Sequence, residues 1–159
     1  FIMPTNKQRF IGAVASIGIT VGGAWLASTI NTRADAQTSF ANGINITFNE
    51  IKNDTGNVIV MIFADRDAYQ AYDATKVVGY KEIPAKPGSI NVKFSDLKTG
   101  PYAVVAFHDE DGNQDLNMDG EIPTEGYATS GATDAYDIPT FARASLSQDN
   151  VSITMYYAE

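Results

Sequence analysis

The chain has 159 residues, with 11 Lys and Arg against 19 Asp and Glu, and a net charge of −8. No basic stripe exists to neutralise phosphates, which argues against nucleic acid as a partner. There is no Cys, so disulfides, thiolate chemistry, zinc-thiolate and iron–sulfur sites are excluded.

Lys7 and Arg9 precede 21 uncharged residues from Phe10 to Ile30, and Ala34-Asp35-Ala36 follows. This is the layout of a secretory signal, with a cleavage site before Gln37. The apolar run is also just long enough to span a bilayer. Trp25 lies where an interfacial aromatic would sit, and Gly18 and Gly22 form a G-x-x-x-G that lets helices approach closely. The expectation carried forward is a retained single-pass anchor packed against other membrane helices. Lys7 and Arg9 would then lie in the cytoplasm and the bulk of the chain in the periplasm of a bacterium. The domain plan is an anchor with flanks over 1–36, a linker over 37–42 and an extracytoplasmic domain over 43–159, which leaves roughly 120 residues for one core.

Ile44 to Ile51 alternates apolar and polar and predicts a half-buried strand. Asn53-Asp54-Thr55-Gly56 has hairpin-turn composition. Val58 to Ala64 is continuously apolar, as in a strand buried on both faces. Asp65 to Thr75 predicts one or two helical turns with Tyr69 and Tyr72 on one side. Lys76 to Ile83 and Ile90 to Phe94 predict strands, separated by a break from Pro84 to Gly88. Leu97-Lys98-Thr99-Gly100-Pro101-Tyr102 has the form of a tyrosine corner, with the Tyr102 hydroxyl bonding back to backbone near Lys98. In the strand that follows, the two-residue period puts Tyr102, Val104, Ala106 and His108 on one face and Ala103, Val105 and Phe107 on the other. Both faces are apolar, so this strand is expected at the centre of a sheet. Phe141 to Leu146 and Val151 to Tyr157 complete the expected strands. The fold class is all-β: an antiparallel Greek-key β-sandwich of the immunoglobulin or transthyretin kind, with one N-terminal transmembrane helix.

Between Asp109 and Asp137 stand nine carboxylates and no Lys or Arg. Such a segment is a solvated loop or a cation site. Asp115-Leu116-Asn117-Met118-Asp119-Gly120-Glu121-Ile122 matches the first eight positions of a calcium loop. The twelfth position is Gly126, where a bidentate acid is expected, with Glu125 one place early and Glu121 a further candidate. Asp109, Asp111 and Asn113 repeat the two-residue spacing upstream. The candidate ligands are thus Asp109, Asp111, Asn113, Asp115, Asn117, Asp119, Glu121 and Glu125. All are hard oxygens, which places Ca²⁺ first.

Tyr102 to Glu110, followed by Gly112-Asn113, resembles a family of secreted bacterial proteins known as domain of unknown function number 2141. That family shows Y-A-V…F-H-D-E-N-G-N-G, then I-P-x-E-G-Y and P-x-F-x-x-A. Here the later pieces are Ile122-Pro123-Thr124-Glu125-Gly126-Tyr127 and Pro139-Thr140-Phe141-Ala142-Arg143-Ala144. The resemblance spans about Gly43 to Tyr157 and implies an exported β-sandwich; it brings no activity. The chain departs from the pattern at Asp111, Gln114 and Asp115.

His108 is the one histidine. A catalytic reading pairs it with Asp109 or Asp111 and needs a nucleophile, for which Ser130 is nearest. The structural reading is a strand-end His whose ring bonds loop backbone and braces its base. The sequence shows no aromatic-lined cleft, and its tyrosines read as core and rim. The expected function is a non-enzymatic accessory subunit that docks on a larger membrane complex, of respiratory or photosynthetic kind, through its helix and its sandwich. The alternative is a free periplasmic ligand- or Ca²⁺-binding module, or a minor hydrolase, released by cleavage.

Overall fold

The computed structural model describes residues 37–158. The expected anchor, with Gly18, Gly22 and Trp25, lies outside them. Among the described residues no helix is long and apolar enough to cross a membrane.

The chain runs β1 (Ile44–Ile51), β2 (Asn57–Phe63), α1 (Arg66–Ala71), β3 (Gly79–Pro84), β4 (Gly88–Phe94), β5 (Ala103–Asp109), β6 (Met118–Asp119), β7 (Ile122–Pro123), β8 (Gly126–Thr129), α2 (Phe141–Ala144) and β9 (Asn150–Thr154). It is mostly β, as expected. One sheet has the order β4-β1-β9, a second β3-β2-β5-β8, and β6 and β7 form a two-stranded hairpin. The expected antiparallel pairing is corrected at one place, because β9 runs parallel to β1. A second correction concerns Asn53–Gly56. The strands on either side of it do not pair with each other, so this turn carries the chain from one sheet to the other.

The alternation in β1 and β4 buries Ile44, Ile46, Phe48, Val92 and Phe94. They join Val58, Val60 and Ile62 of β2 and Tyr102, Val104 and Ala106 in one apolar cluster shared by the two sheets. The opposite faces of β2 and β5 present Ile59, Met61, Phe63, Ala103, Val105 and Phe107 to a second cluster. Tyr69 of α1, Phe141 and Ala144 of α2, and Leu116 cover that face. This explains why β2 and β5 read as unbroken apolar runs: each is central and has no wet face. Each such Val, Ile or Phe contributes roughly 1.5–3 kcal/mol by leaving water.

α1 starts at Asp65, whose side chain accepts from the Ala68 N–H, and ends at Tyr72 in the left-handed region at φ 49. Phe141–Ala144, expected to be a strand, is a short helix capped by Thr140. A run this short carries no decisive period, and helical spacing buries both Phe141 and Ala144 against β2 and β5. The expected linker is also part of the domain. Phe40 is fully buried, its N–H bonds to the Lys98 carbonyl at 2.7 Å, and its ring lies 5.5 Å from that of Tyr102. The Lys98 carbonyl thus accepts from Phe40. Among the described residues, no hydrogen bond joins the Tyr102 hydroxyl to backbone near Lys98.

Candidate functional site

β5 ends at Asp109, and the acidic loop begins there. Asp109 is fully buried. Its Oδ1 accepts from the backbone N–H groups of Gly112 at 2.9 Å and Asn113 at 3.1 Å, and its Oδ2 from Gln114 at 3.0 Å. The turn requires Gly112 at φ 77 and Gln114 at φ 63. Gln114 has a Cβ, so it holds a conformation that costs an L-residue strain.

Glu125, just before β8, reaches the same loop from the other side. It is 4% exposed. Its Oε1 accepts from Glu110 N–H at 2.9 Å and its Oε2 from Asn117 N–H at 3.0 Å. Burial raises its carboxyl above the usual glutamate range, with Asp111 and Asp109 adding to the rise and the two N–H donors opposing it. Asp111 is exposed, and its Oδ2 accepts from the side-chain amides of Asn117 at 2.8 Å and Asn113 at 3.1 Å. The Asn117 bond is the main reason its carboxyl lies below the ordinary range.

One carboxylate oxygen each from Asp109, Asp111 and Glu125 lies within 4.8 Å of the others. Asn113 and Asn117 are bonded to Asp111 and to each other. These five of the eight candidate ligands therefore come together. Asp115, Asp119 and Glu121 are not in the acid group. The Asp115–Glu121 stretch makes no wrap around one centre, because Met118–Asp119 pairs back on Ile122–Pro123. Asp115 instead bonds through its backbone N–H to the Asn113 side chain at 2.7 Å. The carboxylate spacing and the sharp turn at Gly120, φ 63, were readable in the sequence; that this turn closes a two-stranded hairpin was not.

His108 is fully buried. Its Nε2 faces the Thr55 carbonyl at 2.7 Å and its Nδ1 the Tyr157 hydroxyl at 2.8 Å. A carbonyl only accepts, so Nε2 carries the proton. Nδ1 then accepts from Tyr157, whose oxygen in turn accepts from Lys52 N–H at 3.0 Å. The braced backbone is that of the Asn53–Gly56 turn rather than of the acidic loop. Gly56 packs directly under the Asp109 carbonyl at φ 67, where a Cβ would collide with it. Ser130 is buried as well; its hydroxyl accepts from Val104 N–H at 2.9 Å and donates to the Ala144 carbonyl at 2.5 Å. Both side chains of the catalytic reading are thus engaged by structural partners.

A family model described as an uncharacterized protein conserved in bacteria, DUF2141, matches residues 46–155. The chain belongs to this family. No curated protein and no solved structure matches it. The three stretches that resemble DUF2141 have definite parts in the structure. His108 holds the Asn53–Gly56 turn, and Asp109 holds the start of the acidic loop. Glu125 ties the loop down, and Gly126 leaves room for the Tyr157 ring. The Pro139 carbonyl accepts from the Tyr69 hydroxyl at 2.8 Å, and the Phe141 ring lies tilted against that of Tyr69, with centroids 5.7 Å apart.

Sequence reasoning missed one feature beside the loop. Buried Tyr72 and Leu116 and part-exposed Met118, Pro123 and Tyr127 line a groove of about 100 Å³, with Glu121, Ala135, Tyr136 and Ile138 at its edges. An aromatic-lined groove was not expected. Tyr72, Tyr127 and Tyr136 come from three separate segments, and only the fold brings them together. Thr129 donates to the Tyr127 hydroxyl at 2.6 Å, which lies 3.0 Å from that of Tyr72. Burial raises both phenols above their usual range.

Proposed function

We propose that the chain is a non-enzymatic accessory domain, anchored by residues 10–30 at a bacterial inner membrane and exposed to the periplasm. In this reading the two sheets form a Greek-key sandwich, and the acidic end docks on a larger membrane assembly. The observation that carries it is the internal stiffening of the acidic loop. Asp109 and Glu125 spend their carboxylates on five backbone N–H groups. A loop held this way offers a preorganised surface, and preorganisation lowers the entropic cost of binding a partner. His108 and Ser130, saturated by structural partners, favour binding over catalysis. The test is the native protein from membranes. N-terminal sequencing should find residues upstream of Gln37 retained, and native electrophoresis in mild detergent should place the chain in an assembly far larger than its own 17.1 kDa. A soluble monomer that begins at Gln37 overturns the reading.

A second reading rests on the approach of Asp109, Asp111 and Glu125. A Ca²⁺ ion held by these acids, with Asn113 and Asn117 beside them, would offset their mutual repulsion. A cation that binds only the folded chain stabilises it by about 2.7 kcal/mol at a hundredfold excess over Kd. Ca²⁺ should raise the melting temperature more than Mg²⁺ does. Asp111→Ala should remove most of the difference, and Asp119→Ala should not. An equal response to both ions that fades in NaCl is screening, and no specific site.

A further inference from the structure

β2 pairs with β5 from Asn57↔Asp109 to Phe63↔Ala103, so the residues after Phe63 and before Ala103 lie at the end opposite the acidic loop. There a cavity of about 550 Å³ opens between α1, α2 and the chain at Thr38. Its volume falls within the roughly 300–1,000 Å³ of small-molecule sites. Ala64, Pro101, Phe141 and Leu146 give it an apolar floor, and the exposed Asp65, Arg66 and Asp67 give it a charged rim. A few polar groups over an apolar floor is the make-up of a ligand site.

The walls are fixed by hydrogen bonds. Gly100 N–H donates to the Thr38 carbonyl at 2.9 Å, and Leu146 N–H to the Tyr102 carbonyl at 2.8 Å. Asp65 Oδ1 accepts from Ala68 N–H at 2.8 Å. A preformed space lowers the ordering cost of binding.

Two of the three rim charges are unspent. Among the described residues the ion pairs are those of Lys76 and Arg143, and no hydrogen bond or ion pair engages the side chain of Arg66 or Asp67. Adjacent positions on a helix do not face each other, so these two charges do not cancel. The Arg66 guanidinium offers a fork of donors that fits a carboxylate. A simple anion there would also meet the charges of Asp65 and Asp67. That repulsion favours a ligand that brings a cation of its own.

We infer that this cleft binds a short zwitterionic peptide with apolar side chains. Its carboxylate pairs with Arg66, its ammonium with Asp67, and its side chains lie against Pro101, Phe141 and Leu146. The inference is independent of the docking reading, which concerns the other end of the sheets.

The test is a nuclear magnetic resonance titration of the full chain in uncharged maltoside micelles. The dipeptide Leu-Leu should bind saturably, with the largest shifts at the backbone amides of Arg66, Asp67 and Ala142. N-acetyl-Leu-Leu lacks the ammonium and Leu-Leu methyl ester lacks the carboxylate, and each should bind about fivefold more weakly. Gly-Gly keeps both charges but cannot cover the floor, and should also bind at least about fivefold more weakly. Arg66→Gln should bind Leu-Leu and its methyl ester alike, and Asp67→Asn should bind Leu-Leu and its N-acetyl form alike. Both side chains are exposed, so the melting temperature should stay at the parent value. No binding, shifts confined to other residues, equal binding of the four peptides, or variants that keep the parent's preferences overturn the cleft as a ligand site. Glycerophosphoethanolamine presents the two charges as a lipid headgroup does, without the apolar side chains. If it binds more tightly than Leu-Leu, the choice of a peptide is overturned.

Discussion

Strand β5 and the loop that leaves it are adjacent in sequence and held by different physics. β5 lies between β2 and β8 in an antiparallel ladder, and every residue from Ala103 to Asp109 is buried. Its backbone groups find partners along two neighbours, and its side chains fill two apolar clusters. The loop has no such neighbours, and two carboxylates supply the acceptors that a ladder would have provided. Asp109 belongs to both regions, as the last residue of the strand and the hub of the loop. The contrast teaches that the acidity of this segment has two origins. Some acids are internal struts, and others form a surface.

The largest test acts on the strand side. Phe63→Ala opens the cluster over β2 and β5 and should cost about 3–5 kcal/mol of global stability by denaturant unfolding. Asp109→Ala acts on the loop side. It strands the N–H donors of Gly112 and Gln114, while Asn113 N–H keeps Asp111 Oδ1, and at the lower end of roughly 1–3 kcal/mol each it should cost about 2 kcal/mol. Hydrogen exchange separates the two variants. Asp109→Ala should speed exchange at Gly112, Asn113 and Gln114 well beyond any change at Val104 or Val105. Uniform acceleration would mean that loop and strand are one unit.

Glu125→Gln sharpens the comparison through pH. The amide offers one acceptor where the carboxylate offers two, so the variant should lose about 1 kcal/mol. The carboxyl of Glu125 is raised in the folded chain above its ordinary 4.5. A raised group stabilises the fold fully below its unfolded value and loses that contribution as pH rises through the folded value. The parent should therefore lose stability relative to the variant as pH climbs from below 4.5 toward neutrality. A gap between the two proteins that does not change with pH would show that burial of this carboxyl is not felt. The smallest effect is expected at Gln114, which sits at φ 63. Gln114→Gly should relieve the strain and gain up to about 1 kcal/mol, less the contact with Glu82 and the added freedom of the unfolded chain. A clear destabilisation there would show that the Gln114 side chain matters more than its backbone.

The strands were legible wherever one period covered a whole element. The alternation from Tyr102 to His108 assigned each side chain to a face, and both faces are filled as the two-residue period requires. Phe40 was not legible, because a lone aromatic among small polar residues has no period. Phe141–Ala144 was not, because four residues fit helix and strand alike. In the loop, the residue types pointed to one of two roles for a carboxylate, ligand or exposed charge. A third role, acceptor for backbone N–H, depends on where the chain reverses. Gly112 and Gly120 set those reversals, and the acid spacing does not encode the pairing they produce. The groove was invisible for a related reason, since Tyr72, Tyr127 and Tyr136 share no sequence pattern.

The parallel pairing of β9 with β1 sets a clock. It joins Asn45 to Asn150, 105 residues apart, and β1 is the middle strand of its sheet. A chain that emerges from a ribosome, or threads through a narrow channel, N-terminus first, delivers β1 early and its partner last. Until Asn150–Thr154 arrives, one edge of β1 has nothing to bond, and closing so long a loop is slow. The three-stranded sheet is therefore complete only after residues 150–154 have arrived. β1 stays open along one side while the rest of the domain is laid down, and Asn150–Thr154 is the strand that closes it.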